Sequence, residues 1–276
     1  MNKNSRAEGA GFPVYQSRLP LSNATVTMVA DLLRGRMKAI GSRWRKLPAG
    51  RIAVIVLAVL RHDQRLSDMA GGYGVSASTV RRWVLEVIGL LAARAPRLDR
   101  ALHAITRSGG EVVLIDGTLV RTRRRTGRQN RRNYSGKHKA HGLLFLAVTD
   151  ERGNLLWISA AKPGRALDLT AARHNKICAK LRAAGLGAIG DLGFTALDDD
   201  PDNPVIITGK RAARRKPLTS AQKEANKLIS RERAANEHGF ADLKNWRILT
   251  KVRMNATHAT TLLRSLLVLT RAEITR

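Results

Sequence analysis

Two aspartates in this sequence follow short apolar segments of the kind that form buried strands. Asp116 comes directly after the β-branched run at residues 112–115, and Asp191 comes after residues 188–190. Ligands and chemistry in sheet proteins gather beyond strand ends, so both carboxylates are candidate active-site groups. Asp116 could instead cap a turn before Gly117, because aspartate is common in turns at strand ends.

A third carboxylate could come from the predicted long helix Ser220–Lys244. Glu232 and Glu237 both border apolar positions at three- and four-residue spacing, so periodicity alone leaves the choice between them open. Three carboxylates without a cysteine or histidine cluster suit a hard cation such as Mg²⁺ or Mn²⁺. Two such ions can activate a water and stabilise the leaving oxygen of a phosphodiester, which makes phosphodiester chemistry the leading hypothesis.

The charge of the chain points to a polyanionic partner. Its 276 residues include 50 Lys and Arg against 21 Asp and Glu, a formal net charge of +29. Self-repulsion at that level is tolerable mainly when the partner is itself a polyanion, and nucleic acid is the commonest one. An anionic membrane surface is the alternative.

Membrane insertion and secretion are disfavoured by the sequence. The longest apolar run, at residues 52–60, is too short to span a bilayer, and the N-terminal residues lack the apolar core of a signal peptide. The single Cys178 excludes intramolecular disulfides and cysteine-rich zinc sites. We therefore expect a cytoplasmic, nucleoid-associated protein of bacterial type that does not bind membranes.

Residues 1–20 are polar, with several glycines and prolines, and predict a flexible arm; residues 21–107 predict helices. Ser76 is a good N-cap for a helix with one continuous apolar face, and a glycine-rich turn precedes it. This is the helix-turn-helix pattern, whose second helix enters the major groove of DNA. The candidate DNA-contacting residues on that helix are Ser78, Thr79, Arg81 and Arg82. An ordinary three-helix bundle with a solvated polar face is the alternative.

Residues 108–276 predict a mixed sheet with helices on its faces. The predicted strands are residues 111–116, 143–149, 155–161, 188–190 and 205–208, and the predicted helices are residues 170–184, 220–244 and 256–274. Residues 94–107 are interpreted as a bridge between the two regions, and residues 246–249 as extended.

A dense basic loop at residues 121–132 directly follows Asp116. A charge run is usually a solvated face, but this position next to a candidate active site suggests that it grips DNA phosphates. The candidate residues are Arg123, Arg124 and Arg125, together with Lys137 and Lys139 further along. Replacing the three arginines with alanine should weaken DNA binding and flatten its salt dependence.

From Pro48 to the C-terminus the chain resembles DDE-superfamily insertion-sequence transposases, in particular insertion-sequence family five with an N-terminal helix-turn-helix. The matching motifs occur in the family's order: LIDGT with Asp116, YSGKHKAHG, PGRALD ending at Asp168, GDLGF with Asp191, and RERAANEHGFADLKNWRIL with Glu237. The last motif is the most specific, because the family's catalytic glutamate precedes an aromatic residue, a Leu-Lys pair and a Trp-Arg pair. The resemblance therefore favours Glu237 over Glu232.

The resemblance implies a ribonuclease H-like α/β catalytic domain over residues 108–276, preceded by an all-α helix-turn-helix domain over residues 21–107. It implies that Asp116, Asp191 and Glu237 are catalytic and hold two Mg²⁺ or Mn²⁺ ions. The implied activity is binding of terminal inverted repeats in double-stranded DNA, followed by hydrolysis and strand transfer, with a homo-oligomer assembled on the DNA. The alternatives are a domesticated DNA-binding protein without catalysis and a DDE-type endonuclease that cuts without joining.

Departures from the family pattern affect the neighbours of the three acids. Family members often carry histidine before the acid that Asp168 matches, whereas this chain has Leu167. Asp168 is accordingly a candidate for a residue that supports the metal ligands without binding the ion itself, or for a simple helix cap. His138 and His141 are further candidates for neighbours of the active site or of DNA, with a purely structural role as the alternative.

Overall fold

The structure, a computed structural model, describes residues 17–42, 45–123, 128–198, 200, 202–213, 217–252 and 255–274. The side chains of residues 128, 129, 237 and 251 are outside the description. Most of the predicted N-terminal arm, and Arg124 and Arg125 of the basic loop, therefore lie outside the described residues.

The N-terminal region is helical, as predicted. Its helices are α1 (Asn23–Ala39), α2 (Ala49–His62), α3 (Leu66–Gly72), α4 (Ala77–Ala92) and α5 (Leu98–Arg107). Ser76 is the N-cap of α4 and accepts a hydrogen bond from the backbone amide of Thr79, which confirms the predicted cap. The segment at residues 94–107, interpreted as a bridge to the second region, contains α5, which buries Leu98, Ala101 and Leu102.

The second region contains a mixed sheet, as predicted. Its strands are β1 (Val112–Arg121), β2 (Tyr134–Ser135), β3 (Ala140–Thr149), β4 (Leu155–Ile158), β5 (Lys162–Pro163), β6 (Gly187–Gly190) and β7 (Ile206–Thr208). The central β1 pairs antiparallel with β3 and parallel with β6, and β7 continues parallel beyond β6. Short strands β2, β4 and β5 pair with β3 as well, so the sheet has antiparallel strands on one side of β1 and parallel strands on the other.

Helices and two 3₁₀ turns complete this region. They are α6 (Arg128–Asn133), α7 (Asp168–His174), α8 (Ile177–Ala184), α9 (Ser220–Lys244) and α10 (Ala256–Ile274), with 3₁₀ turns at Leu192–Phe194 and Arg247–Lys251. The predicted single helix over residues 170–184 is two helices, because Lys176 adopts a left-handed φ of 54° between them. Residues 247–249 are helical rather than extended.

The two faces of the sheet pack against different helices. On one face, Val113, Ile115 and Leu146 form a core with residues of α5, α7 and α8. On the other face, Phe145 and Ile158 pack in a core that continues through α9 and α10 to α1, α2 and α4. The C-terminal helix α10 thus joins the helical region to the sheet. No helix in the described part of the chain combines the length and apolar character needed to cross a bilayer.

Candidate active site

Asp116 and Asp191 lie at matching positions on adjacent strands. The parallel pairing of β1 with β6 ends at Leu114 and Ile189, and each aspartate follows two residues later. Beyond that point β6 has ended and β1 has no parallel neighbour, and the charge of Asp191 acts on Asp116. The register of one strand pair therefore brings together residues that are far apart in sequence.

Asp116 does not stand at a strand end, and the prediction on this point is wrong. β1 continues to Arg121, because residues 114–121 pair with β3 and Asp116 itself lies opposite Ala147. The strand that ends here is the neighbour, β6. The Asp-Gly turn signal is overridden by this pairing, although Oδ1 of Asp116 still accepts a 2.8 Å hydrogen bond from the backbone amide of Gly117.

Asp191 ends β6 and opens a 3₁₀ turn. Its Oδ1 accepts a 2.8 Å hydrogen bond from the backbone amide of Gly193, which fixes the carboxylate. Each of the two aspartates thus has one oxygen tied to the backbone and Oδ2 directed to other partners.

A third carboxylate, that of Asp168, reaches the same place from the start of α7. A β-carbon built on Gly117 would lie only 2.0 Å from Oδ1 of Asp168, so the carboxylate rests in the space that a side chain at position 117 would fill. The alternative that Asp168 is a helix cap is wrong, because the N-cap position of α7 is Leu167 and no side-chain capping hydrogen bond is present. The oxygen Oδ1 is buried and accepts no hydrogen bond from the described residues.

Two cations face these carboxylates at distances longer than a hydrogen bond. The Nζ atom of Lys137 lies 3.7 Å from Oδ2 of Asp168 and 3.9 Å from Oδ2 of Asp191. On the other side, Nη2 of Arg233 lies 3.7 Å from Oδ2 of Asp116. Among the described residues, these ion pairs therefore set two positive side chains against three carboxylates, and neither side chain is close enough for a hydrogen bond.

Burial and the crowding of acids raise the pKa of two of these carboxylates. Burial raises the pKa of Asp116, and the charges of Asp191 and Asp168 raise it further, against the opposing effects of the Gly117 amide and Arg233. Burial likewise raises the pKa of Asp168, with Lys137 acting against it and Asp191 adding to it. Both carboxylates would be more stable with additional positive charge beside them.

Glu237 lies on α9, which passes beside this cluster. Position 237 is one helical turn after Arg233 and so on the same side of α9. The other candidate, Glu232, is exposed and pairs with the neighbouring Arg231 at 3.3 Å. Position 237 therefore shares the side of α9 that carries Arg233, and the role of Glu237 stays a prediction from the resemblance.

α9 is held in place by a very close approach to the turn between β3 and β4. A β-carbon on Gly239 would lie 2.4 Å from the carbonyl oxygen of Gly153, and one on Gly153 would lie 2.1 Å from that of Ala235. Next to this contact, the hydroxyl of Thr149 donates a hydrogen bond to the buried side chain of Asn236. Only glycine at both positions allows the helix to come this near.

The two candidate histidines differ in their surroundings. His138 is exposed, and its charge lowers the pKa of Asp168, so it lies near the cluster. His141 pairs with Tyr134 across β2 and β3, and the two rings are in contact with centroids 5.1 Å apart and planes tilted by 60°. The described contact of His141 is thus with Tyr134, whereas His138 borders the acids.

The residues predicted to contact DNA are mostly exposed. Ser78, Arg81 and Arg82 lie on the free side of α4, and Thr79 is half-buried. Arg82 donates a 3.2 Å hydrogen bond to the hydroxyl of Thr79, which orders the first turn. In the second region, Arg123, Lys137 and Lys139 are exposed.

The chemistry of the cluster fits a hard divalent cation. In the described part of the chain, no group of three or more His, Cys, Asp or Glu side chains is close enough to hold an ion directly. The donors that converge are nevertheless all carboxylate oxygens, the set that Mg²⁺ and Mn²⁺ prefer, and the buried Oδ1 of Asp168 has an unused lone pair.

Sequence reasoning missed two contributions to this site. Arg233 is one of them, and the signal available for it in the sequence is its four-residue spacing before Glu237. Lys137 was expected to bind DNA, and its position between Asp168 and Asp191 has no local signal in the sequence.

Known proteins similar to this chain are endonucleases and transposases. The "putative transposase for insertion sequence element IS112" from Streptomyces albus G is 29% identical over 216 residues, which is 78% of this chain and 75% of that protein. Among solved structures, the Mos1 transposase paired-end complex with the left transposon end is similar over 83% of this chain and 96% of that chain, with 11% identity and a TM-score of 0.21. The Mos1 mariner paired-end complex with Mn is similar over 84% and 97%, with 11% identity and a TM-score of 0.21.

The family described as DDE superfamily endonuclease matches residues 115–271, a span that contains Asp116, Asp168, Asp191 and Glu237. Endonucleases of this superfamily generally use divalent metal ions. Since the match covers more than half of the chain, the protein belongs to the DDE superfamily of endonucleases.

Proposed function

We propose that the protein is an insertion-sequence transposase, which binds the terminal inverted repeats of its element and catalyses phosphodiester hydrolysis and strand transfer. The proposal depends on the positions of Asp116 and Asp191, which each lie two residues beyond the last residue pair of the β1–β6 ladder. Membership of the DDE superfamily, the similarity to a putative transposase and the charge of +29 support it.

In this proposal Asp116, Asp191 and Glu237 hold two divalent ions, Mg²⁺ or Mn²⁺. When bound, such ions make water or a 3′-hydroxyl a better nucleophile and stabilise the leaving oxygen, without a side-chain base. The backbone amides of Gly117 and Gly193 fix the two aspartates before any ion arrives. That preorganisation avoids the cost of assembling like charges during the reaction.

Positive side chains around the carboxylates would position the DNA. Arg233 and Lys137 stand beside the acids and would hold the scissile phosphate once ions neutralise those acids. Lys139 and the arginine loop beginning at Arg123 would bind phosphates further along the backbone. His138 borders the same surface.

DNA ends would be recognised by the helix-turn-helix of residues 21–107. The exposed hydroxyl and arginine side chains at the start of α4 suit the major groove. The catalytic unit would be residues 108–276. We expect a homo-oligomer on double-stranded DNA, acting in the cytoplasm at the nucleoid, because transposition joins two ends to one target.

The test uses full-length protein and the DNA that flanks its gene, searched for matching inverted repeats. We expect gel-shift binding to an end fragment, Mg²⁺-dependent nicking at the end, and joining of a pre-cut end to target plasmid. Binding without nicking would indicate a domesticated DNA-binding protein. Nicking without joining would indicate a DDE endonuclease that cuts only, and either result would contradict the transposase proposal.

A further inference from the structure

Asp168 is the most buried of the three carboxylates that the structure brings together. Its side chain is 13% exposed, compared with 22% for Asp191 and 23% for Asp116. Burying a carboxylate is costly unless charge or hydrogen bonds compensate it. The compensation present is small, since Lys137 lies at 3.7 Å from Oδ2 and Oδ1 receives no hydrogen bond from the described residues.

The position of Asp168 depends on the backbone of β1. Gly117 follows Asp116 directly, and the missing side chain at 117 leaves the space in which the Asp168 carboxylate lies. A β-carbon on Gly193 would also lie 3.6 Å from Oδ2 of Asp168 and 2.7 Å from Oδ1 of Asp191. Glycines close to both Asp116 and Asp191 thus leave room for Asp168 to approach each of them.

The position of Lys137 indicates that the carboxylates of Asp168 and Asp191 need a positive charge beside them. Its ammonium group lies within 4 Å of both Asp168 and Asp191, and so serves two carboxylates at once. A purely structural aspartate at the start of α7 would instead cap the helix or form a hydrogen-bonded ion pair. Asp168 does not cap α7, and its ion pair with Lys137, at 3.7 Å, is longer than a hydrogen bond.

We propose that Asp168 is a further metal-ligating carboxylate, which binds a divalent ion together with Asp191. The inference rests on the proposed metal-dependent function and adds a residue to its site. Oδ2 of Asp168 lies on the side of Asp191, where Lys137 contacts both carboxylates, and Oδ1 is buried without a hydrogen bond from the described residues. A carboxylate oxygen is a suitable ligand for Mg²⁺ or Mn²⁺ and lowers the net charge of the loaded site.

The first measurement is Mn²⁺ binding to full-length protein without DNA, monitored through the electron paramagnetic resonance of free Mn²⁺. We expect Asp168→Asn to weaken binding by about tenfold or more. The matched control is Asp202→Asn, which removes the same charge from an exposed position and should bind as wild type. Gly117→Ala is a second route, because it keeps every acid and displaces Asp168; it should also weaken binding.

The second measurement separates a ligand from a residue that only positions one. Asp168→Cys titrated with Cd²⁺ should gain the ultraviolet charge-transfer absorption of a thiolate–cadmium bond, above that of wild type with its own Cys178. No gain in absorption would overturn the proposal, as would unchanged Mn²⁺ affinity in Asp168→Asn.

Asp116→Asn distinguishes this inference from the function on which it rests. If Asp116→Asn weakens Mn²⁺ binding and Asp168→Asn does not, the role of Asp168 is wrong and the metal site stands. If the wild type binds no Mn²⁺, both the metal site and the role of Asp168 are wrong. Circular dichroism and thermal unfolding of each variant establish that it is folded.

Discussion

Asp116 and Asp191 lie at matching positions on adjacent strands because each stands two residues past the last pair, Leu114 and Ile189, of a parallel strand ladder. Neither depends on a flexible loop for its placement, since each has one oxygen bound to a backbone amide. In the proposed function, a site built on strands in this way would be largely formed before metal and DNA bind.

Asp116→Asn should abolish Mg²⁺-dependent nicking of end-containing DNA, with a loss of more than about 100-fold. The amide keeps the shape of the side chain but removes the charge that attracts a cation. Binding to the DNA end, measured by gel shift, should stay unchanged because α4 is untouched. Full strand cleavage by this variant would contradict the assignment of Asp116.

Arg233→Gln should destabilise the protein by about 1 kcal/mol in the absence of metal, because Asp116 loses a nearby positive charge. Saturating Mg²⁺ should recover most of this loss by supplying positive charge to the same carboxylate. Thermal unfolding with EDTA and with Mg²⁺ measures the difference. Arg231→Gln, an exposed neighbour paired with Glu232, is the control and should respond equally in both buffers.

Replacing Arg81 and Arg82 with alanine should weaken DNA binding and lower the slope of affinity against salt by about 1 for each phosphate that is no longer bound. Both side chains are exposed near the start of α4. Fluorescence anisotropy over a range of salt concentrations gives the slope. Arg100→Ala, an exposed arginine on α5, should leave it unchanged, and an equal effect there would mean that only total charge matters.

Glu86→Gln should lower the free energy of unfolding by about 2 kcal/mol at neutral pH. Glu86 accepts two hydrogen bonds from Arg45, at 2.7 and 2.8 Å, and these lower the pKa of Glu86 from its ordinary value of 4.5. Because the pKa of Glu86 is lower in the folded state, its charge stabilises the protein fully at pH values above the ordinary pKa. This contribution is lost as the pH falls through the folded-state pKa.

The difference between Glu86→Gln and wild type should therefore shrink as urea unfolding is repeated at successively lower pH below 4.5. Asp31→Asn provides the comparison, because its pair with Arg34 is exposed on both sides and should contribute little at any pH. A pH-independent loss in Glu86→Gln would show that packing, rather than charge, is responsible.

Gly239→Ala should destabilise the protein by about 1–3 kcal/mol, since its β-carbon would meet the Gly153 carbonyl oxygen at 2.4 Å. Nicking should fall as well, because the shift moves the helix that carries Glu237. The same substitution at Gly89, in the interior of α4 with open space around it, should stabilise by about 0.5–1 kcal/mol. Urea unfolding measures the change in unfolding free energy for both variants. If both variants were stabilised, the close approach at Gly239 would be contradicted.

Local signals in the sequence determined much of the fold. Helices α1, α2, α4 and α10 follow from apolar periodicity, and α4 also from its cap at Ser76, because such features act within one or two turns. The charge of the chain indicated a polyanionic partner, and the resemblance of the motifs around Asp116, Asp191 and Glu237 indicated its superfamily. These features can be read without knowing which segments touch.

The tertiary structure alone decided what surrounds the acids. Pairing with β3 carries β1 past the Asp-Gly turn signal, and the register with β6 sets Asp116 beside Asp191. Asp168, Lys137 and Arg233 reach the cluster from three separate segments. Electrostatic energy depends on distance in space and on burial, and neither is encoded in the spacing of residues along the chain.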